Sequence, residues 1–359
     1  MEKFKPQLLP NEPAGEAPDW ESRLQPIEEF MFSTKLDGAR VELFSGEPAR
    51  GRSMKVLKSV KIQEMATEFN QHMGLFGGCF EAEFYSPNMT FSEIMHFFKV
   101  EDIDDPKHYT KWMKLFQHPT KEWPFPGRTP EWLCTWHDDL KFYVFDYATA
   151  ASKADRYMMY NEAIRDIRPT DQWPLSTDPE IEGATEVAVA VKQFKLNHID
   201  AFYQAYDQAI MDGHEGLVCV HKDTPYKNGR HTLKSGTSFK AKENKLEFDG
   251  KVMYAEEGTV ARPGAPKTTN ELGRSVTSKL AEDRIPGGFC KGFRVRMEDG
   301  RELIVSLNGW SHPEKEELLN DPSDYVGQWV RFTGMKPVKE GGMPRHAQVT
   351  KGQCIRDEK

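Results

Sequence analysis

Short apolar-rich runs separated by turn residues mark the first elements of the chain. Phe30 to Thr34 and Ala39 to Phe44 read as strands on either side of a turn, Lys35-Leu36-Asp37-Gly38. Cys79 to Phe84 and Phe142 to Tyr147 read as strands as well. Helical spacing occurs in two places. Ile62, Met65, Ala66 and Phe69 follow Ser59, a residue type that caps helix starts. Ile199, Phe202, Tyr206 and Ile210 share one face, and Gly213 ends that helix. Leu217 to Val220 is a short apolar run of the buried-strand kind, and Phe239 to Lys242 alternates.

Between these elements the pattern is weaker. Residues 1–28 hold Pro6, Pro10, Pro13, Pro18 and Pro26, which predicts an extended arm laid over a domain. Residues 85–141 read as an irregular insertion rich in aromatics, including Trp112, Trp123, Trp132 and Trp136. Near Lys245 the character changes to short strands and turns. Glu298-Asp299-Gly300 between two alternating segments is a hairpin signal. The division expected is a larger α/β-type domain over residues 1–245 and a small β-barrel over 246–359.

A length of 359 residues agrees with about two domains. Net charge is -8, from 48 Lys+Arg against 56 Asp+Glu. Residues 246–359 carry 18 of each sign, so the acidic excess lies wholly in residues 1–245. That excludes a uniformly basic nucleic-acid coat but not a local basic groove. No apolar run approaches the roughly 18 residues of a membrane span, and Met1-Glu2-Lys3-Phe4-Lys5 does not open a signal peptide. A cytoplasmic protein with no membrane partner is expected. The 5 cysteines have no C-x-x-C spacing, and the 11 histidines show no metal-ligand pattern. Free thiols are therefore expected, and no structural zinc. Phe202 and Tyr206 are read as core, the tryptophans as packing rather than base-stacking residues, and His214 as packing or a surface contact.

The candidate chemistry lies at the strand ends. Lys35 becomes a nucleophile if its amine is desolvated or set beside positive charge. Taken alone, K-x-D-G reads as a surface turn. Glu81 and Glu83 lie on one strand face opposite Phe80 and Phe84, and two such carboxylates repel unless a cation joins them. Lys240 and Lys242 repeat that geometry with the opposite sign, which suits a phosphate between them. Glu215 stands at the mouth of a buried strand, where its carboxylate suits a hard cation such as Mg²⁺.

Lys35-Leu36-Asp37-Gly38-Ala39-Arg40, Arg52 with Lys55, Glu83, Phe145-Asp146, Glu215-Gly216 and Lys240-Ala241-Lys242 follow one another as in the ATP-dependent polynucleotide ligases. In order and spacing the set resembles that family. Arg356-Asp357-Glu358-Lys359 is similar to its terminal R-x-D-K, and Lys5-Pro6-Gln7-Leu8-Leu9 to the K-P-x-L that precedes the nucleotidyltransferase domain in many members. The size resembles that of the compact phage and viral DNA ligases. The resemblance implies an α+β fold: a nucleotidyltransferase (ATP-grasp-like adenylation) domain of mixed antiparallel sheets and helices, then an OB-fold barrel. It implies Lys35 as the nucleophile that carries AMP, with Lys240 and Lys242 on the α-phosphate. Glu83 would accept from the ribose, Phe145 would stack on adenine, and Arg40 and Arg52 would hold the nucleotide and later the 5′-phosphate of a nick. Glu215, with Glu83, would hold Mg²⁺, for which Mn²⁺ can substitute, and Arg356 would orient pyrophosphate.

Two positions depart from the family. Ser33 stands where many relatives carry a Glu that reads adenine, and the last motif ends on Lys359. The partner implied is nicked duplex DNA, met by a monomer that uses ATP. The alternatives are an RNA ligase, a GTP-dependent mRNA capping guanylyltransferase and a non-catalytic OB-fold nucleic-acid binder. An NAD-dependent ligase is disfavoured by the lack of a four-cysteine zinc module.

Overall fold

The structure is a computed structural model. It describes residues 4–10, 20–73, 77–100, 102, 105–119, 123, 125, 127–134, 139–165, 187–242, 246–269, 275–278, 280–335, 342–352 and 355–356. The chain divides into two compact units, Met1–Glu243 and Asn244–Lys359.

Two sheets build the first unit. β1 (Phe30–Thr34), β7 (Gly216–His221) and β8 (Ser238–Lys242) form an antiparallel sheet in the order β1-β7-β8. The other sheet runs β3 (Arg50–Gly51), β2 (Ala39–Phe44), β4 (Cys79–Tyr85), β5 (Lys141–Tyr147) and β6 (Ala188–Ala190), with only β5–β6 parallel.

Each sheet has an apolar and a polar face because strand side chains alternate. Phe30, Phe32, Leu217, Cys219, Phe239 and Ala241 are buried against Phe202 and Ala209 of helix Ile199–Met211. Ser33, Lys240 and Lys242 therefore face the other way. Val41, Leu43, Phe80, Ala82, Phe84, Phe142 and Val144 enter a larger core, joined by Ile62, Met65, Ala66 and Phe69 of helix Val60–Met73. Arg40, Glu42, Glu81 and Glu83 are left on the opposite face of that sheet. Ser59 accepts from the Ile62 N–H at 3.4 Å, so the expected cap forms.

Residues 85–141 are more regular than expected. Helix Phe91–Lys99 begins with a capping box in which Thr90 and Glu93 satisfy one another's backbone N–H groups. Helix Pro106–Phe116 begins at Asp105, whose side chain accepts from the Lys107 N–H. Both signals stand in the sequence, as T-x-x-E and as D-P, but the dense aromatics obscure the periodicity between them. Trp112 is buried, and Trp123 and Trp132 pack against the core; Trp136 lies outside the described residues. Helix Lys153–Arg165 was also not anticipated. It buries Lys153 and Arg156 as well as Tyr157, Tyr160 and Ile164, so no clean apolar stripe marks it. In the expected arm, Phe4–Pro10 is extended and Trp20–Arg23 is a short helix. Pro13 and Pro18 lie outside the described residues.

The second unit is a closed ring of strands. β9 (Leu246–Ala261) pairs with β12 (Arg284–Met297), then β13 (Glu302–Asn308), β15 (Arg345–Thr350) and β14 (Trp329–Met335), which returns to β9. The ring is an OB-type barrel. Its core includes Val252, Phe293, Val295, Val305, Val330, Phe332 and Val349. Gly300 turns the expected hairpin with φ +84°. β10 (Lys267–Thr269) and β11 (Ser275–Thr277) pair with each other, and β16 (Ile355–Arg356) pairs with β14.

Among the described residues, no helix is long and apolar enough to cross a membrane. Cys79, Cys219 and Cys290 are free thiols.

Candidate active site

Lys35 continues the β1–β7 ladder past the end of β1. Its N–H donates to the Gly216 carbonyl at 2.8 Å, and its own carbonyl accepts from the Glu215 N–H at 3.2 Å. Backbone pairing thereby sets Lys35 beside Glu215, and their side chains form an ion pair. Lys242 Nζ lies 3.9 Å from the other Glu215 oxygen. Ser33, Val218 and Lys240 make one row across the sheet; Gly216 and Lys242 lie in the next, beside Lys35. A side chain at Gly216, whose φ is +129°, would run into the Ala241 carbonyl, so the close row requires glycine.

Burial is the main cause that lowers the Lys35 amine, to about 7, opposed by the Glu83 carboxylate and helped by Lys242 and Lys240. Burial likewise lowers Lys240 to about 8, with Lys242, Arg52 and Arg40 pushing the same way. A lysine near 7 is substantially a free amine at neutral pH, as a nucleophile must be.

Gly38 serves the turn through its lack of a side chain. It does not adopt a positive φ; a Cβ there would stand 2.6 Å from the Phe84 carbonyl and 2.7 Å from Glu83 Cγ. The turn after Lys35 therefore lies directly against β4. This close approach brings Glu83 toward the lysine, and burial raises the Glu83 carboxyl while Lys35 and Arg40 oppose that shift.

On the five-stranded sheet, Arg40 lies opposite Glu83 and Glu42 opposite Glu81. Arg40 is the cation that the two like charges of β4 needed: it pairs with Glu81, and its Nε donates to Glu42 at 2.9 Å. Glu81 also accepts from the Tyr226 hydroxyl at 2.5 Å and is therefore held by protein groups. On β5 the register slips between Glu81 and Ala82, leaving Phe145 as an extra, bulged residue. The Phe145 ring lies 5.0 Å from the Arg40 guanidinium carbon. Its carbonyl accepts from Lys153 at 2.8 Å, and Asp146 is locked by Arg156 at 2.7 Å. Asp146 is thus a structural partner of that helix.

Arg52 is exposed on the turn after β3, within electrostatic reach of Arg40 and Arg230. Lys55 is exposed on the same turn and returns its carbonyl to the Gly51 N–H at 2.9 Å. The structure thus sets Lys240, Lys242, Arg40 and Glu83 on the polar faces of the two sheets, Lys35 just past the end of β1, Glu215 just before β7, Phe145 at the bulge of β5 and Arg52 on the turn after β3. Sequence reasoning gave no role to Arg230, Tyr226 and Glu42, nor to Gln7 within Lys5-Pro6-Gln7-Leu8-Leu9. Glu42 was open to detection, since it repeats the alternation of Arg40 on β2; the others lie in irregular segments where no periodicity operates. Arg356 has its backbone on β16, opposite Trp329. Its side chain and Lys359 lie outside what is described.

Glu215, just before β7, pairs with the Lys35 amine, and Glu83 on β4 acts on it electrostatically. Among the described residues they do not join a third carboxylate, imidazole or thiol at ligand spacing. Two hard oxygen donors with the remaining positions left to water or phosphate fit Mg²⁺, which keeps much of its hydration.

No family model matches the chain, and no curated protein does. Among solved structures, one described as DNA binding with a minimal scaffold, a Lig E DNA ligase, aligns with 97% of this chain and 100% of its own. The TM-score is 0.57 at 19% identity. Another, described as Pmar-Lig_Pre, covers 100% of this chain and 69% of its own, with a TM-score of 0.58 at 16% identity. At these identities the likeness is one of fold: the chain shares with these structures an α+β unit followed by an OB-type barrel.

Proposed function

We propose that the chain is an ATP-dependent DNA ligase that seals nicks bearing a 5′-phosphate and a 3′-hydroxyl in duplex DNA, acting in the cytoplasm as a monomer. The observation that carries this reading is the convergence of Glu215, Glu83, Lys240 and Lys242 on the Lys35 amine. A lysine placed between carboxylates and further ammonium groups is suited to attack a phosphoryl centre. The Lys35 nitrogen forms a bond to the α-phosphorus of ATP as the bond to pyrophosphate breaks, and its proton leaves to solvent. AMP passes next to the 5′-phosphate of the nick, freeing Lys35. The 3′-hydroxyl then attacks that phosphorus and expels AMP.

Lys240 and Lys242 neutralise the α-phosphate, and the Glu83 carboxylate accepts from the ribose hydroxyls. The bulge aims Phe145 for stacking on adenine. Arg52, with Arg230 beside it, takes the 5′-phosphate. Glu215 and Glu83 would hold Mg²⁺ or Mn²⁺, which supplies charge neutralisation on the transferring phosphoryl group. Arg356 is assigned to pyrophosphate by resemblance alone.

The test is intact mass after incubation with ATP, GTP or NAD and Mg²⁺. An adenylate from ATP that Lys35→Ala abolishes is expected, followed by sealing of nicked DNA in preference to nicked RNA. An adduct that survives Lys35→Ala overturns the assignment of the nucleophile. A guanylate identifies a capping-type enzyme, and sealing confined to RNA an RNA ligase.

A further inference from the structure

The segment Phe4–Pro10 meets three basic residues of the first unit in turn, Arg40 at its guanidinium and Arg230 and Lys240 at their backbones. The Gln7 carbonyl accepts from Arg40 at 2.8 Å. Leu8 forms a parallel bridge with Arg230, and the Pro10 carbonyl accepts from the Lys240 backbone N–H at 3.0 Å. Three residues that surround the proposed nucleotide are thereby tied to one strip of seven.

Gln7 anchors the strip. It is 4% exposed, and its N–H points to both Glu81 Oε1, at 3.2 Å, and the Tyr226 hydroxyl, at 3.1 Å. Its side-chain oxygen accepts from the Lys227 N–H at 3.0 Å. Gln7 therefore joins β2 and β4 of one sheet to the connection between β7 and β8 of the other. Along that connection, alternate N–H groups donate to the strip: Lys227 to Gln7, Gly229 to the Lys5 carbonyl at 3.2 Å, and His231 to the Leu8 carbonyl at 2.9 Å. Phe4 closes the end, edge-on to Phe44 and stacked on Tyr226.

We propose that Phe4–Pro10 is a strap that positions the cationic wall of the nucleotide site, with Gln7 as its positioning residue. The inference rests on the nucleotidyltransferase reading above. Arg40 acts through it: its guanidinium is occupied by Gln7, Glu42 and Glu81, and it props the Phe145 ring instead of reaching for phosphate. A wall set before the nucleotide arrives spares the ordering of long side chains at binding, so the strap acts on affinity more than on the chemical step.

The experiment compares the full chain with Gln7→Ala and Tyr226→Phe by two measurements. One is the rate of Lys35 nucleotidylation against ATP concentration with Mg²⁺; the other is hydrogen exchange at the Lys227, Gly229 and His231 amides. For both variants the expected result is faster exchange at those three amides and a half-saturating ATP concentration raised by about 5- to 30-fold, a range set by one or two buried hydrogen bonds. The maximal rate should stay within about threefold, the pattern of lost ground-state binding. Unchanged half-saturation overturns the proposal whether or not exchange quickens, and so does a raised half-saturation with exchange unaltered. A fall in maximal rate alone also overturns it. If the unaltered chain acquires no nucleotide, the parent reading fails; if it does and the variants match it, only the strap fails.

Discussion

Glu42 presents the sharpest energetic question in the molecule. It is fully buried, faces Glu81 across β2 and β4, and shares one guanidinium with it. Burial first, and Glu81 second, push its carboxyl up to about 8 from an ordinary 4.5, against the pull of Arg40. The folded chain therefore keeps a proton that the unfolded chain releases. That stabilising contribution is complete below pH 4.5 and is lost as the pH rises through 8. At ~1.36 kcal/mol per pKa unit the window corresponds to about 5 kcal/mol, and sharing the proton with Glu81 reduces the expected effect to about 2–4 kcal/mol. Glu42→Gln cannot ionise, yet it keeps an oxygen for the Arg40 Nε–H at 2.9 Å. The variant is expected within about 1 kcal/mol of the natural chain at pH 5.5 and more stable by about 2–4 kcal/mol at pH 9. Urea unfolding followed by tryptophan fluorescence at both pH values measures this. Parallel pH profiles for the two proteins would show that Glu42 is ionised throughout and would refute the reasoning. Arg40→Met supplies the opposite case: it strands Glu81 in the interior, at an expected cost of about 3–5 kcal/mol.

Three further outcomes follow from the geometry. With the Lys35 amine at about 7, kcat/KM for its adenylation should rise about tenfold from pH 6 to 8 and flatten above that, whereas an unperturbed lysine would keep gaining tenfold per pH unit; an unbroken rise to pH 9 rejects the lowered value. Gly38→Ala forces a methyl against the Phe84 carbonyl and the Glu83 stem, so a loss of about 1–3 kcal/mol in stability is expected together with impaired ATP labelling, and normal labelling would show that the turn can move away from β4. His96 lies edge-on to Trp112 and Phe125, and burial lowers it to about 4, with His108 and nearby lysines adding to the shift. Its neutral form is favoured in the fold, so stability is lost as the pH falls from 6.5 toward 4, and tryptophan emission should change in that range unless His96→Phe removes the response.

The strands that carry chemistry were legible because local rules decide them. Period-two alternation around Lys35, Glu83 and Lys240 survives any tertiary arrangement, since a strand has only two faces. For the same reason the apolar side of β8 could be told from its polar side before the sheet was known. The barrel hairpin was announced by Asp299-Gly300, a turn type with few alternatives. The helices of residues 91–116 were missed although their caps were written in the chain, because packed aromatics hide a 3.6-residue period. Lys153–Arg165 was missed for a different reason: it buries charge, and that burial is made tolerable by Asp146 on β5 and by backbone carbonyls outside the helix.

By itself, then, the sequence determined which residues share a strand face and which lysine stands at a strand end. Tertiary structure alone decided what each charge meets. The placement of Glu215 on Lys35 comes from a backbone ladder between segments some 180 residues apart. Arg40 meets Glu42 and Glu81 through the pairing of β2 with β4, and meets the Gln7 carbonyl through a seven-residue strip whose own pattern carries no period. Charge energies depend on burial and on partners distant in sequence, and both come into being only when the sheets have packed.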